Sequence, residues 1–214
     1  GSLQIFTKDN VKIHVLSDLH IEIAAFNPRT VDADVIVLAG DIWFGSKSII
    51  WARQVWPDNE IVFVSGNHEY YRSEVGMVNE QMELSGREQG VHVLNRKQCI
   101  IDGVRFLGAT LWTDFKLFGE DQISSAYGKA LAALRDFHVI DYGENVLAPQ
   151  DTVVFNTSDI HWLEANLNHD KFDGKTVVVT HHLPSACSVA ERYKDQLLSA
   201  SFASNFDHLL GYSK

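Results

Sequence analysis

Cysteine is almost absent from this 214-residue chain: Cys99 and Cys187 are the whole complement. Two isolated thiols cannot build a disulfide framework, and such usage points to a reducing compartment, the cytoplasm. Long apolar runs are also lacking. None approaches the ~18 residues that a membrane span needs, so no membrane partner is expected. No secretory hydrophobic region opens the chain, and Gly1-Ser2 reads as the scar of a removed tag. Without that signal, Asn156-Thr157-Ser158 reads as a chance match to a glycosylation sequon. A basic cluster is missing too. The 18 Lys and Arg are scattered, the densest group is Arg96-Lys97, and the formal charge is −10. A chain that tracks nucleic-acid backbone usually carries a clustered basic face, so no nucleic-acid partner is expected. Metal ions can supply positive charge locally in an acidic protein, which leaves small phosphorylated molecules as suitable substrates.

What is present is an ordinary globular composition, 45% hydrophobic and 21% charged, with enough length for a real core. The first hundred residues alternate between strand and helix patterns. Strands are expected at 11–17, 34–39 and 61–65, with helices at 46–56 and 73–89. Pro57 stops the first helix. Such alternation argues for an α/β fold with parallel strands joined by crossovers. Short strands at 91–94 and 98–102 lead into 104–110 through Asp102-Gly103, a hairpin turn signal. Residues 111–150 break the rhythm with Trp112, Phe115, Phe118, Tyr127, Phe137 and Tyr142 and a helix expected at 121–136. Most of these aromatics read as core, although a segment inserted between strands can also fold over the strand ends as a cap. A helix at 151–168, a strand at 176–180, a long loop and a helix near 203–211 complete a single domain over 1–214.

Four of these strands end in residues able to hold a metal. Val11–Leu16 runs into Ser17-Asp18-Leu19-His20, and Val35–Leu38 into Ala39-Gly40-Asp41. Ile61–Val64 runs into Ser65-Gly66-Asn67-His68-Glu69, and Thr176–Val179 into Thr180-His181-His182. Ligands of α/β proteins gather outside the carboxyl ends of strands, so four such ends describe one site. Asp18 and His20, two apart, can both turn toward one ion, and carboxylate plus imidazole suits Mn²⁺, Fe or Zn²⁺ better than Ca²⁺. Asp-x-His alone is common by chance, and Gly-Asp alone is merely a turn. Gly40 lets the backbone approach a ligand closely, and the Asp41 carboxylate could bridge two ions. Asn67 offers a neutral ligand beside carboxylates, and His68 could protonate a leaving oxygen. Glu69 either orients His68 or is an ordinary helix-start carboxylate. His181 is placed as a ligand, while His182 points to the opposite side, toward substrate or a supporting role.

Taken together and in order, Asp18-x-His20, Gly40-Asp41, Gly66-Asn67-His68-Glu69 and Thr180-His181-His182 resemble the calcineurin-like metallophosphoesterase superfamily over almost the whole chain. The nearest resemblance is to small bacterial-type phosphoesterases, through Thr180 to Ser185 and Leu111-Trp112-Thr113-Asp114. The resemblance implies a four-layer αββα sandwich of two mixed sheets flanked by helices. It implies two divalent ions, the first held by Asp18 and His20, the second by Asn67 and His181, with Asp41 bridging. His68 would be the catalytic proton donor, and a metal-bridging hydroxide would attack phosphorus in line with the leaving alkoxide. Trp112 and His182 would face substrate.

The family's further block, Gly-His-x-His on a later strand, does not occur in this chain. His208, in Phe206-Asp207-His208-Leu209-Leu210, reads as a helix-face residue rather than a substitute ligand. Two explanations compete: a truncated chain whose last strands are missing, which the abrupt ending favours, and a native short form with a half-built site. In either case each metal lacks a ligand, and reduced occupancy and activity are expected. A catalytically impaired binding or scaffold protein of the same fold is the competing reading, and the absent block is its support. The Asn67-His68 pair counts against it, since a scaffold needs no proton donor. A nuclease of the same superfamily is weaker still, for want of a basic groove. Substrate identity, monoester against diester, native metal and oligomeric state are not legible in the sequence.

Overall fold

The structure is a computed structural model that describes residues 2–6, 11–168 and 172–209. Its chain divides into two compact units: Gly1–Thr110 with Ile140–Glu144 and Phe172–His181, and Leu111–Val139 with Asn145–Lys171 and His182–Lys214.

The first unit is built on two sheets. One has the order β1 (Ser2–Phe6), β2 (Lys12–Leu16), β3 (Val35–Ala39), β4 (Glu60–Val64), β5 (His92–Val93). β2 to β5 are parallel, and β1 pairs antiparallel with β2 at the edge. β1 is a strand that the sequence pattern did not reveal. The other sheet has β7 (Val104–Ala109) at its centre, antiparallel to β6 (Lys97–Ile101) and parallel to β10 (Lys175–Thr180). The hairpin between β6 and β7 turns at Asp102 (φ 47°) and Gly103 (φ 77°). Two consecutive left-handed residues match the right-handed twist of the strands, which is why Asp-Gly marks this turn.

Alternation along the strands settles which side chains meet. Val35, Val37, Ala39, Val62 and Val64 of the first sheet pack with Val104, Phe106 and Val179 of the second in one buried cluster. The intervening residues, Ile36, Leu38, Ile61 and Phe63, are buried just as fully. They belong to the opposite face, where α1 (Lys47–Val55) and α2 (Val75–Gln89) contribute Ile49, Ala52, Val78 and Met82. Helix α2 starts where the Glu74 side chain accepts from Met77 N–H at 2.8 Å, and it stops at left-handed Gly90. The short strand β8 (Asp141–Tyr142) also belongs to this unit. Burial, with Glu60 nearby, pushes the Cys99 thiol up to about 12, and neither cysteine forms a disulfide.

The second unit contains α3 (Ile123–Ala133), the short α4 (Asp136–Val139), β9 (Asn145–Val146) and α5 (Pro149–Asn168). The helix expected over 121–136 is broken at Leu134, whose backbone is extended. Helix α5 opens with Pro149 at its first position, and Asp151 accepts from Ala148 N–H. Its buried face grips residue 111: Asp159 accepts from Leu111 N–H at 2.9 Å, and the Asn156 amide donates to the Leu111 carbonyl at 2.8 Å. Asn156 is thereby sequestered inside the unit, so the sequon presents no accessible amide.

The helix expected near 203–211 is not found among the described residues. Leu183 and Ala203 form a parallel bridge instead, Ser204 and Phe206 donate to the Leu183 and Pro184 carbonyls, and only a single 3₁₀ turn, Asp207–Leu209, follows. Once those amides are committed to the 183–184 segment they cannot close helical turns. Residues 210 and 211 lie outside the described residues. His208 is not on an α-helix; its Nε2 lies 3.0 Å from Glu164. Among the described residues, no helix is long and apolar enough to cross a membrane.

Candidate metal centre

The loops that leave β2, β3 and β4 are fastened to one another before any side chain acts. Asp18 and His20 donate their backbone N–H groups to the carbonyls of Gly40 and Asp41, and Ile21 donates to Ile42, all within 3.0–3.1 Å. This pairing holds Asp18 (φ 55°), His20 (φ 46°) and Asp41 (φ 56°) in the left-handed region. That conformation costs a non-glycine residue about 1–3 kcal/mol and is found where surrounding structure imposes it, often at functional sites. Gly40 (φ 85°) and Gly66 provide the close approach. A Cβ at Gly40 would come within 2.5 Å of His181 Nδ1, and one at Gly66 would overlap Asp41 Oδ1.

Glu69 locks the arrangement. It is 1% exposed, and its two oxygens accept from the backbone N–H groups of Asp41, Ile42, Trp43 and Gly66 and from the Ser48 hydroxyl, at 2.7–3.3 Å. Burial pushes its carboxyl up, with the Asp41 carboxylate acting in the same sense, against the pull of the Ile42, Asp41 and Gly66 amides. Neither role expected for Glu69 applies. It does not orient His68, and it is no solvated helix-start carboxylate; it ties the β3 and β4 loops together from beneath. Glu69→Ala is expected to lower stability by ~3 kcal/mol or more, because it leaves several buried donors unsatisfied. Chemical denaturation measures this, and a change under ~1 kcal/mol would contradict the assignment.

Upon this frame the predicted ligands assemble around Asp41. Donor atoms of Asp18, Asp41 and His181 lie within 4.8 Å of one another. His181 Nε2 is 3.5 Å from Asp41 Oδ1 and 3.1 Å from Asn67 Oδ1. On the other side, Asp41 Oδ2 is 3.8 Å from His20 Nε2 and 3.9 Å from His68 Nε2. The His68 backbone N–H donates to Asp41 Oδ1 at 2.9 Å. One carboxylate thus presents each oxygen to a different set of nitrogens.

The imidazoles are oriented from behind. His181 Nδ1 is 2.9 Å from the Ala39 carbonyl. A carbonyl only accepts, so Nδ1 carries the hydrogen and Nε2 is the lone-pair atom of the neutral ring. Glu22, absent from the sequence-level ligand set, does the same for two rings. Its Oε1 lies 2.8 Å from His68 Nδ1 and 3.2 Å from His20 Nδ1. Burial works against the Glu22 charge, but its own backbone N–H, His68 and His20 hold its carboxyl below the usual range. The sequence signal for it was the alternation Asp18-x-His20-x-Glu22. His68 also stacks on Tyr71 at 4.1 Å and 22°. His182 and Trp112 belong to the second unit, where their rings stack at 5.2 Å, each 5% exposed.

Divalent cations fit these residues. Two carboxylates, an amide oxygen and imidazole lone pairs all converge, and oxygen and neutral nitrogen donors attract a cation while repelling one another. The behaviour of His181 reports the same field. Burial disfavours its charged form, yet Asp41, the Ala39 carbonyl, Asp18 and Glu69 together raise its proton affinity above the ordinary value. Among the described residues, Asp18, Asp41 and His181 form one group that could hold a metal ion, and His20, Glu22 and His68 form a second.

The α/β fold places this candidate metal centre at the carboxyl ends of its parallel strands. The family model for calcineurin-like phosphoesterases matches residues 11–210, and the chain belongs to that family of metal-dependent phosphoesterases. An uncharacterized protein of Acanthamoeba polyphaga mimivirus is 27% identical over 199 residues, which is 80% of this chain and 68% of that one. Among solved structures, a phosphopantetheinyl hydrolase from Mycobacterium tuberculosis superposes with a TM-score of 0.64 at 16% identity, over 90% of this chain and 75% of its own. At that identity the likeness shows a shared fold.

Proposed function

We propose that the protein hydrolyses a small phosphomonoester or phosphodiester with two divalent cations, Mn²⁺, Fe or Zn²⁺ being best matched to the donors. The observation that carries this reading is the division of Asp41 between its neighbours, with Oδ1 toward His181 and Oδ2 toward His20 and His68. A carboxylate so placed can serve two ions. When bound, a cation pair polarises phosphoryl oxygens and lowers the pKa of water enough to make a nucleophile at neutral pH.

The chain's own residues do the rest. Asp18 and His20 would hold one cation, Asn67 and His181 the other, with Asp41 shared. The left-handed backbone at Asp18, His20 and Asp41, tied by the hydrogen bonds between their loops, fixes where these donors leave the chain, which lessens the reorganisation needed when substrate arrives. His68 in its imidazolium form, with Nδ1–H held by Glu22, can pass its Nε2 proton to the departing alkoxide and become the neutral Nδ1–H ring, which is the general-acid half of the reaction. Asn67 contributes an oxygen without charge, which limits repulsion between a site already holding two carboxylates and an anionic substrate.

The test is reconstitution. Metal-stripped protein is loaded separately with Mn²⁺, Ni²⁺, Fe²⁺ and Zn²⁺ and assayed on p-nitrophenyl phosphate and on its bis ester. Metal binding and metal-dependent hydrolysis above the metal-free protein are expected, both weaker than in a chain that also carries the Gly-His-x-His block. Absence of turnover with all four metals on both esters would sink the proposal, and the preferred ester separates monoesterase from diesterase.

A further inference from the structure

Glu22 is buried more deeply than a surface carboxylate needs to be, with a side chain 8% exposed. Burying a carboxylate is costly unless it is paired, and the partners it has are two imidazoles on separate loops. His20 follows β2, whereas His68 follows β4. A single atom, Oε1, meets both Nδ1 atoms, at 3.2 and 2.8 Å. The other oxygen, Oε2, is buried and has no hydrogen-bond partner among the described residues. The two rings lie edge to face at 4.4 Å and 65°. This leaves both Nε2 atoms directed at the same Asp41 oxygen, at 3.8 and 3.9 Å.

A carboxylate oxygen can only accept, so contact with Oε1 places a hydrogen on both Nδ1 atoms. For neutral His20 this leaves Nε2 as a lone-pair donor. For His68 it leaves Nε2 as the atom that exchanges a proton. We infer that Glu22 is a positioning residue that sets the tautomer and rotation of His20 and His68 together, coupling the metal-binding side of the site to its proton-donating side. The inference rests on the proposed roles of His20 as ligand and His68 as proton donor.

The experiment separates the two. Metal-free protein with ¹⁵N-labelled histidine is examined by multiple-bond ¹H–¹⁵N correlation, which distinguishes Nδ1–H from Nε2–H rings without any turnover. Wild type should show both His20 and His68 as Nδ1–H. Glu22→Ala should lose that preference at both rings, whereas Glu22→Gln should keep it, because an amide oxygen still accepts. Glu22→Asp is one methylene shorter and should hold at most one ring, which keeps the test informative if the alanine variant does not fold. Metal titration should show affinity at one site falling ~10–100-fold in Glu22→Ala, as for other carboxylates behind a ligand histidine, with Glu22→Gln within a few-fold of wild type.

Unchanged tautomers and metal affinity in Glu22→Ala would overturn the inference. So would a wild-type spectrum with Nδ1 of either ring unprotonated, which is what Glu22 acting as a metal ligand beside imidazole Nδ1 requires. Should wild type give the expected spectrum and bind metal but hydrolyse no ester, the proposed function falls and the role of Glu22 stands.

Discussion

Asp41→Asn is expected to lower kcat/KM on a phosphate ester by at least ~10³-fold, the order of several kcal/mol that metal-assisted charge stabilisation supplies. The substitution is nearly isosteric, which makes it a test of charge rather than of packing. Asparagine can present one oxygen to a cation but turns an NH₂ toward the other side. Either Oδ1, facing His181 and receiving the His68 amide, or Oδ2, facing His20 and His68, is lost as a donor. Metal content should fall below that of the wild-type chain. The fold should survive, because Glu69 is bound through the Asp41 backbone N–H and not its side chain. Elemental analysis and steady-state kinetics read both effects. Activity within tenfold of wild type, with full metal content, would remove Asp41 from the centre of the site.

His68→Gln is expected to have a leaving-group signature. General-acid catalysis is worth about 10²–10⁴-fold, but only where the departing oxygen needs a proton. Alkyl phosphates should therefore lose activity within that range. p-Nitrophenyl esters, whose phenolate leaves unprotonated, should lose about tenfold or less. Metal content should be retained, since His68 is assigned no metal and its structural contact with Asp41 is through its backbone N–H. A loss of equal size on both ester types would instead make His68 a binding residue, and a loss of metal would make it a ligand.

How much of this was legible before the structure follows from the range of each interaction. The expectations for β3, β4, β7 and β10 needed only β-branched runs and turn signals, and strand alternation then dictated that two apolar faces must be covered. Asp18, His20, Asp41, Asn67 and His181 were legible because each stands at a strand's carboxyl end, where local sequence and fold class suffice to say which edge it joins. Glu69 was misread because its five donors come from residues 41 to 48 and from 66, and nothing about a carboxylate after Asn-His specifies which distant amides it will meet. Glu22 was passed over for a similar reason. Its partner His68 is 46 residues away, brought near by the loop zipper between Asp18–Ile21 and Gly40–Ile42 together with the Glu69 tie between the β3 and β4 loops. The C-terminal segment failed differently. Helical-looking sequence near Phe206 lost its amides to Leu183 and Pro184, a tertiary pairing that overrides local preference.

By itself, then, the sequence determined an α/β chain with strand ends bearing metal-type donors, because periodicity and residue chemistry are local properties. Tertiary structure alone decided which nitrogens each Asp41 oxygen faces, that Glu69 clamps the loops beneath it, and that one oxygen of Glu22 aligns two histidines. Those facts depend on left-handed backbone at Asp18, His20 and Asp41 and on hydrogen bonds that span tens of residues. Such conformations are held in place by the completed fold, so no stretch of sequence could have announced them.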